Sequence, residues 1–101
     1  MRRSKKAQSD HDAEVQRIAR SYQRRGFDVE ADVSGFRRPG TLGGYRPDVV
    51  ARRGGDRKIV EVETPESVDT ARDRKQQQAF RTAANRAKKT TFTRKVTKRG
   101  R

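Results

Sequence analysis

The sequence predicts a small α/β domain: a mixed sheet of three or four strands flanked by two helices. Three observations carry that expectation. An amphipathic helical stripe runs near the N-terminus. A Gly54-Gly55 pair sits between two runs of β-branched residues. A second helical pattern with small apolar residues precedes a last β-rich segment. The resulting order is helix, strand, two-strand hairpin, helix, strand.

Residues 1–8 contain Arg2, Arg3, Lys5 and Lys6 and no acid, and read as a disordered basic arm suited to phosphate contact or to solubility. Ser9 is the expected cap of the first helix, with Asp12 three residues on. Asp10, Asp12 and Glu14 suit the positive end of the helix dipole. Val15, Ile18, Ala19 and Tyr22 follow the spacing of one buried stripe, and Gly26 suits the left-handed position after the last turn. His11, the single histidine, falls in the first turn and reads as exposed or capping. Residues 27–33 alternate Phe27, Val29, Ala31 and Val33 with Asp28, Glu30 and Asp32, a half-buried strand whose acids face solvent, with Asp32 near any site. Residues 34–44 form a loop in which Arg37 and Arg38 stand among glycines. It reads equally as a phosphate clamp or as a plain connection.

Residues 46–52 and 58–64 are the hairpin strands. With Gly54 and Gly55 as the loop, Arg53 faces Asp56, Arg52 faces Arg57 and Asp48 lies opposite Glu61. Opposed residues stand roughly 4.5–5.5 Å apart at Cβ, and Glu63 shares the face of Glu61. Asp48, Glu61 and Glu63 thus form one acidic cluster. Val49, Ala51, Val60 and Val62 form the core face. Clustered carboxylates repel unless a proton or cation intervenes, and Mg²⁺ takes such oxygen ligands. The competing reading is a solvated strand face paired with Arg52 or Arg57. Thr64-Pro65-Glu66-Ser67 then punctuates the chain. A helix follows from about residue 68 or 73 to 88, with Ala79, Phe80, Ala83, Ala84 and Ala87 as its apolar stripe. Residues 90–97 read as a fourth strand, parallel to 58–64 and at the edge, or as disordered. Residues 98–101 close a second basic tail, which sets the domain at 9–97.

Pro47-Asp48 followed by Glu61-Val62-Glu63 across a hairpin resembles the PD-(D/E)XK nuclease superfamily of restriction enzymes and archaeal Holliday junction resolvases. Residues from about 9 to 80 are similar to small prokaryotic and phage proteins of that group. The shared pieces include Ala31-Asp32, Gly35-Phe36, Gly43-Gly44 and residues 76–80. The order αβββαβ is the common core of that restriction-endonuclease-like fold. The resemblance implies a metal-dependent DNA endonuclease. Its catalytic residues would be Asp48, Glu61 and Glu63, with Mg²⁺ or Mn²⁺ held by Asp48 and Glu61, acting on duplex or branched DNA. A homodimer would suit a cut in each strand. Glu63 stands where the motif usually has lysine; some restriction enzymes carry Glu there and still cleave. One further acid from the first helix is common in resolvases, and Glu14 is the candidate. Arg37, Arg38, Arg46, Lys75, Gln76, Arg94 and Lys95 are the expected nucleic-acid contacts.

Composition bears on partners. The chain has 101 residues, 29% hydrophobic and 40% charged, with a formal charge of +14 and a pI near 11.3. That excess points to nucleic acid before an anionic membrane surface; DNA is what the resemblance implies. No cysteine is present, which excludes disulfides and thiolate metal sites. No run reaches the length of a membrane span, so an intracellular, cytoplasmic or phage-associated protein is expected. The alternative to an enzyme is a nuclease fold that has lost catalysis and serves as a nucleic-acid-binding, virion or packaging protein. A ribosome-associated RNA binder is a third reading.

Overall fold

A computed structural model describes residues 4–68 and 70–97. Six elements follow one another: α1 (Lys5–Arg24), β1 (Asp28–Ala31), β2 (Val49–Arg53), β3 (Asp56–Glu63), α2 (Ala71–Arg86) and β4 (Thr90–Val96). They form one four-stranded sheet in the order β1-β2-β3-β4. The first three strands are antiparallel neighbours, and β4 runs parallel to β3 after the α2 crossover. This is the expected αβββαβ arrangement with a mixed sheet and two helices. Within the described residues no helix is long and apolar enough to cross a membrane.

The first helix begins earlier than expected. Ser4, not Ser9, is its cap, and its hydroxyl accepts from the Ala7 N–H at 3.1 Å. Lys5 to Gln8 are therefore helical rather than part of an arm. Residues 1–3 of that arm and residues 98–101 lie outside the described residues. The cause is tertiary. Ser4 also donates from its N–H and hydroxyl to the Glu66 carboxylate at 3.3 and 3.1 Å, which anchors the first turn to the β3–α2 connection. At the other end Gly26, with φ of 89°, takes the left-handed position after the Arg25 cap, as its place in the sequence suggested.

The hairpin register is the expected one: Arg53 pairs with Asp56, Arg52 with Arg57, and Val49 with Val60. Gly54 takes a φ of 60°, the positive angle that a tight turn requires at its first central position. β1 is shorter than the alternation implied. It ends at Ala31, where the chain bends at residues 32–33, although the Asp32 N–H still donates across to the Asp48 carbonyl at 2.9 Å.

Both faces of the sheet are covered. On one, Val15 and Ala19 of α1 pack with Ala31, Val49, Val60 and Val62, all buried. On the other, strand parity places Val50 and Ile59, also buried, and α2 contributes Phe80, whose ring lies 5.6 Å from that of Phe92 on β4. The alternating face was legible as core; the second core layer was not, because Val50 and Ile59 share their strand face with Asp48, Arg52, Arg57 and Glu61. β4 is an ordered edge strand. Phe80 is the only buried apolar side chain of α2, and the alanines beside it are partly covered.

The loop between β1 and β2 lies close to α2. Gly43 has a φ of 59°, and a Cβ added there would stand 2.9 Å from the Ala79 Cβ. Gly43→Ala therefore meets both a disfavoured backbone angle and a clash. It should lower stability by about 1–3 kcal/mol, to be read as a lower urea midpoint with an unchanged slope.

Candidate active site

The three acids of the hairpin lie at the end of the sheet where both helices begin. Asp48 stands one residue before β2, and continuing the ladder places it opposite Glu61. The pair is locked reciprocally. The Asp48 N–H donates to the Glu61 carboxyl at 3.2 Å, and the Val62 N–H donates to Asp48 Oδ2 at 2.8 Å. Glu63, on the same face as Glu61, accepts from the Ser67 hydroxyl at 2.7 Å. Ser67 is placed by the turn after β3, where its oxygen also takes the Thr64 N–H at 3.1 Å.

These carboxyls are not a solvated strand face. Asp48, Glu61 and Glu63 keep only 7%, 3% and 2% of their surface exposed. Arg52 pairs instead with Glu30 at 3.0 Å. Burial pushes the Glu61 carboxyl up from its ordinary 4.5 to about 10. The charge of Asp48, a hydrogen bond to the Asp48 carboxyl and the charge of Glu63 act in the same direction; the Asp48 N–H acts against them.

A cleft of about 810 Å³ opens over this cluster. Ser4, Gln8, His11 and Asp12 of the α1 side line it, with Arg46 and Asp32 from the loops and Ser67, Arg72, Asp73 and Gln76 from the α2 side. Two of these residues correct or extend the sequence reading. His11 is not exposed: it is buried, with Nε2 3.2 Å from Asp48 Oδ2 and Nδ1 3.0 Å from Asp12 Oδ1. The helix starts one turn earlier than expected, so His11 joins Ala7, Val15 and Ala19 as a buried position. Asp73 was missed as well. It is 2% exposed and bonded by Arg94 at 2.9 Å and by Gln77 at 3.2 Å. Its signal was a polar residue seven before Phe80, on the same helical face.

The expected nucleic-acid contacts separate into groups. Arg46 and Gln76 line the cleft, and Arg46 also donates to the Pro39 carbonyl. Arg94 is opposite Glu61 on β4 and engaged by Asp73. Arg37 and Arg38 are exposed and lean on Glu30 at 3.5 Å and Asp32 at 3.3 Å. Lys75 is exposed on α2. Lys95 is on the opposite face, 3.4 Å from Glu14. Glu14 itself is held by Arg17 and Lys95, and the Arg17 contact keeps its carboxyl below the ordinary range. From α1 it is His11, not Glu14, that meets the hairpin acids.

The donor chemistry suits a hard divalent cation: carboxyl oxygens only, packed closely enough that one keeps a proton for want of counter-charge. Among the described residues no group of three acids or histidines already stands at the spacing of a formed metal centre. The acids are engaged with one another, with backbone N–H groups and with Ser67.

A family model described as AHJR-like, REase_AHJR-like, matches residues 2–93. The comparisons with curated proteins and with solved structures gave no match.

The raised Glu61 carboxyl has a stability consequence. Between about 4.5 and about 10 the folded protein keeps a proton that the unfolded chain releases. The contribution of Glu61 to stability without metal is therefore fullest below that window and is lost as pH rises through it. Glu61→Gln, which holds no titrating proton, should flatten that fall. Urea denaturation in chelator at acid, neutral and alkaline pH checks this.

Proposed function

The chain belongs to the AHJR-like family of restriction-endonuclease-like proteins, and on that premise we propose that it is a metal-dependent nuclease hydrolysing phosphodiester bonds in DNA. The observation that carries this reading is the burial of Asp48, Glu61 and Glu63 together beneath a cleft, in a chain of formal charge +14. Stability alone does not favour three adjacent buried carboxyls. Binding a cation does.

Asp48 and Glu61 are the ligands for Mg²⁺ or Mn²⁺ in this reading. Such an ion, when bound, polarises a phosphate oxygen and makes water a better nucleophile. Glu61 would release its proton to solvent on serving as a ligand, because the charge of the ion would supply the counter-charge it lacks. Glu63, aimed by Ser67, orients the attacking water and accepts its proton. Arg46, Arg72 and Gln76 at the cleft hold the phosphate backbone. Arg37, Arg38 and Lys75, exposed at the surface, add sequence-independent attraction outside it.

One observation favours a second reading, a binder that has kept the fold and lost the chemistry. Glu63 adds negative charge at the position where the superfamily motif places a lysine. That leaves less positive charge for the transition state.

Incubation with plasmid and branched DNA in Mg²⁺ or Mn²⁺, beside Asp48→Asn, separates the two. Metal-dependent cutting that falls to background in the variant is expected. DNA affinity should stay within a few-fold of wild type, with log K falling with log salt at a slope of about −0.9 per phosphate contact. Salt-sensitive binding without cutting in either protein would establish the binder.

A further inference from the structure

His11 is a buried polar side chain on the apolar stripe of α1, and neither the hairpin motif nor the crossover helix accounts for it. An aliphatic residue would fill the same space without the cost of removing an imidazole from water. Its ring instead stands between two carboxyls from different parts of the chain. Nδ1 is 3.0 Å from Asp12 Oδ1, on the same helix, and Nε2 is 3.2 Å from Asp48 Oδ2, thirty-seven residues away.

Asp48 Oδ2 also accepts the Val62 N–H at 2.8 Å. One oxygen of the carboxylate is thus fixed from two directions, by the sheet and by α1. Rotation about the Cβ–Cγ bond would break both contacts. The carboxylate is thereby held in one orientation toward any cation bound there. Asp12 holds the far side of the ring, so the whole array is anchored in the helix.

Resting on the nuclease reading, we infer that His11 is a positioning residue for Asp48: it sets the carboxylate orientation in which a divalent cation is held. Partners of this kind, one contact beyond a metal ligand, are worth about 10–100-fold in metal affinity.

The test uses the full chain and two substitutions of different reach. Gln places a side-chain amide near the position of Nε2, and Asn near that of Nδ1. His11→Gln retains a donor to Asp48, whereas His11→Asn retains only the Asp12 contact. Mn²⁺ affinity is measured by calorimetry without DNA, beside the rate of DNA cutting, with circular dichroism to establish folding. His11→Asn is expected to bind Mn²⁺ about 10–100-fold more weakly and to cut correspondingly slowly; His11→Gln is expected to stay near wild type. Asp12→Ala removes the ring's outer anchor at a half-exposed site. It should weaken Mn²⁺ binding in the same direction by a smaller factor, independently of any disturbance of the core. Wild-type affinity in both His11→Asn and Asp12→Ala, or equal losses in the Gln and Asn variants, overturns the role of His11 while the nuclease reading stands. A wild-type protein that neither takes up Mn²⁺ nor cuts overturns the nuclease reading, and this inference with it.

Discussion

The turn at Gly54-Gly55 is the constraint on which the site depends. A two-residue loop leaves no freedom in the pairing of its strands, and side chains alternate with a period of two. A slip of one residue would turn Glu61 and Glu63 toward α1 and bring Val60 and Val62 into the cleft. The register that buries Val49, Val60 and Val62 is therefore the register that brings Asp48 beside Glu61. Core and site cannot be separated in this hairpin. The hydrophobic term that secures the first also enforces the repulsion in the second.

That repulsion is moderated locally rather than removed. Backbone N–H groups of Asp48 and Val62 point at the carboxyls, Ser67 donates to Glu63, and His11 reaches Asp48 from the opposite element. Glu61 keeps its proton. The positive excess of the chain plays little direct part, because several of its arginines are committed to other acids: Arg52 and Arg37 to Glu30, Arg38 to Asp32, Arg94 to Asp73. The large net charge acts at longer range, as a field that draws polyanions toward the surface.

The hairpin, its register and its three acids were legible in the sequence because turn length and strand parity are local properties. So was the C-terminal end of α1, where Gly26 has a conformational reason to stand. The start of that helix was not, since Ser4 and Ser9 are both sound caps and the choice between them rests on Glu66, sixty-two residues away. Misplacing the start by a turn hid His11, although Ala7, His11, Val15 and Ala19 are spaced four apart. Asp73 was hidden similarly, because counting apolar residues passes over a buried acid whose partner is on a later strand. In both cases the available signal was a polar residue at a stripe position. At such a position burial needs a specific partner.

β4 ends the sheet with one side unpaired. Outward-facing backbone groups of this kind are templates for fusion with another chain. Here the border carries Arg94 and Lys95, and four of its seven residues are exposed. Both are paired with acids of the same molecule, so it is the net charge of +14 that makes two copies repel each other before their amides can meet. The positive excess of the chain therefore has a colloidal consequence that is independent of any ligand: it opposes the joining of sheets between neighbouring copies.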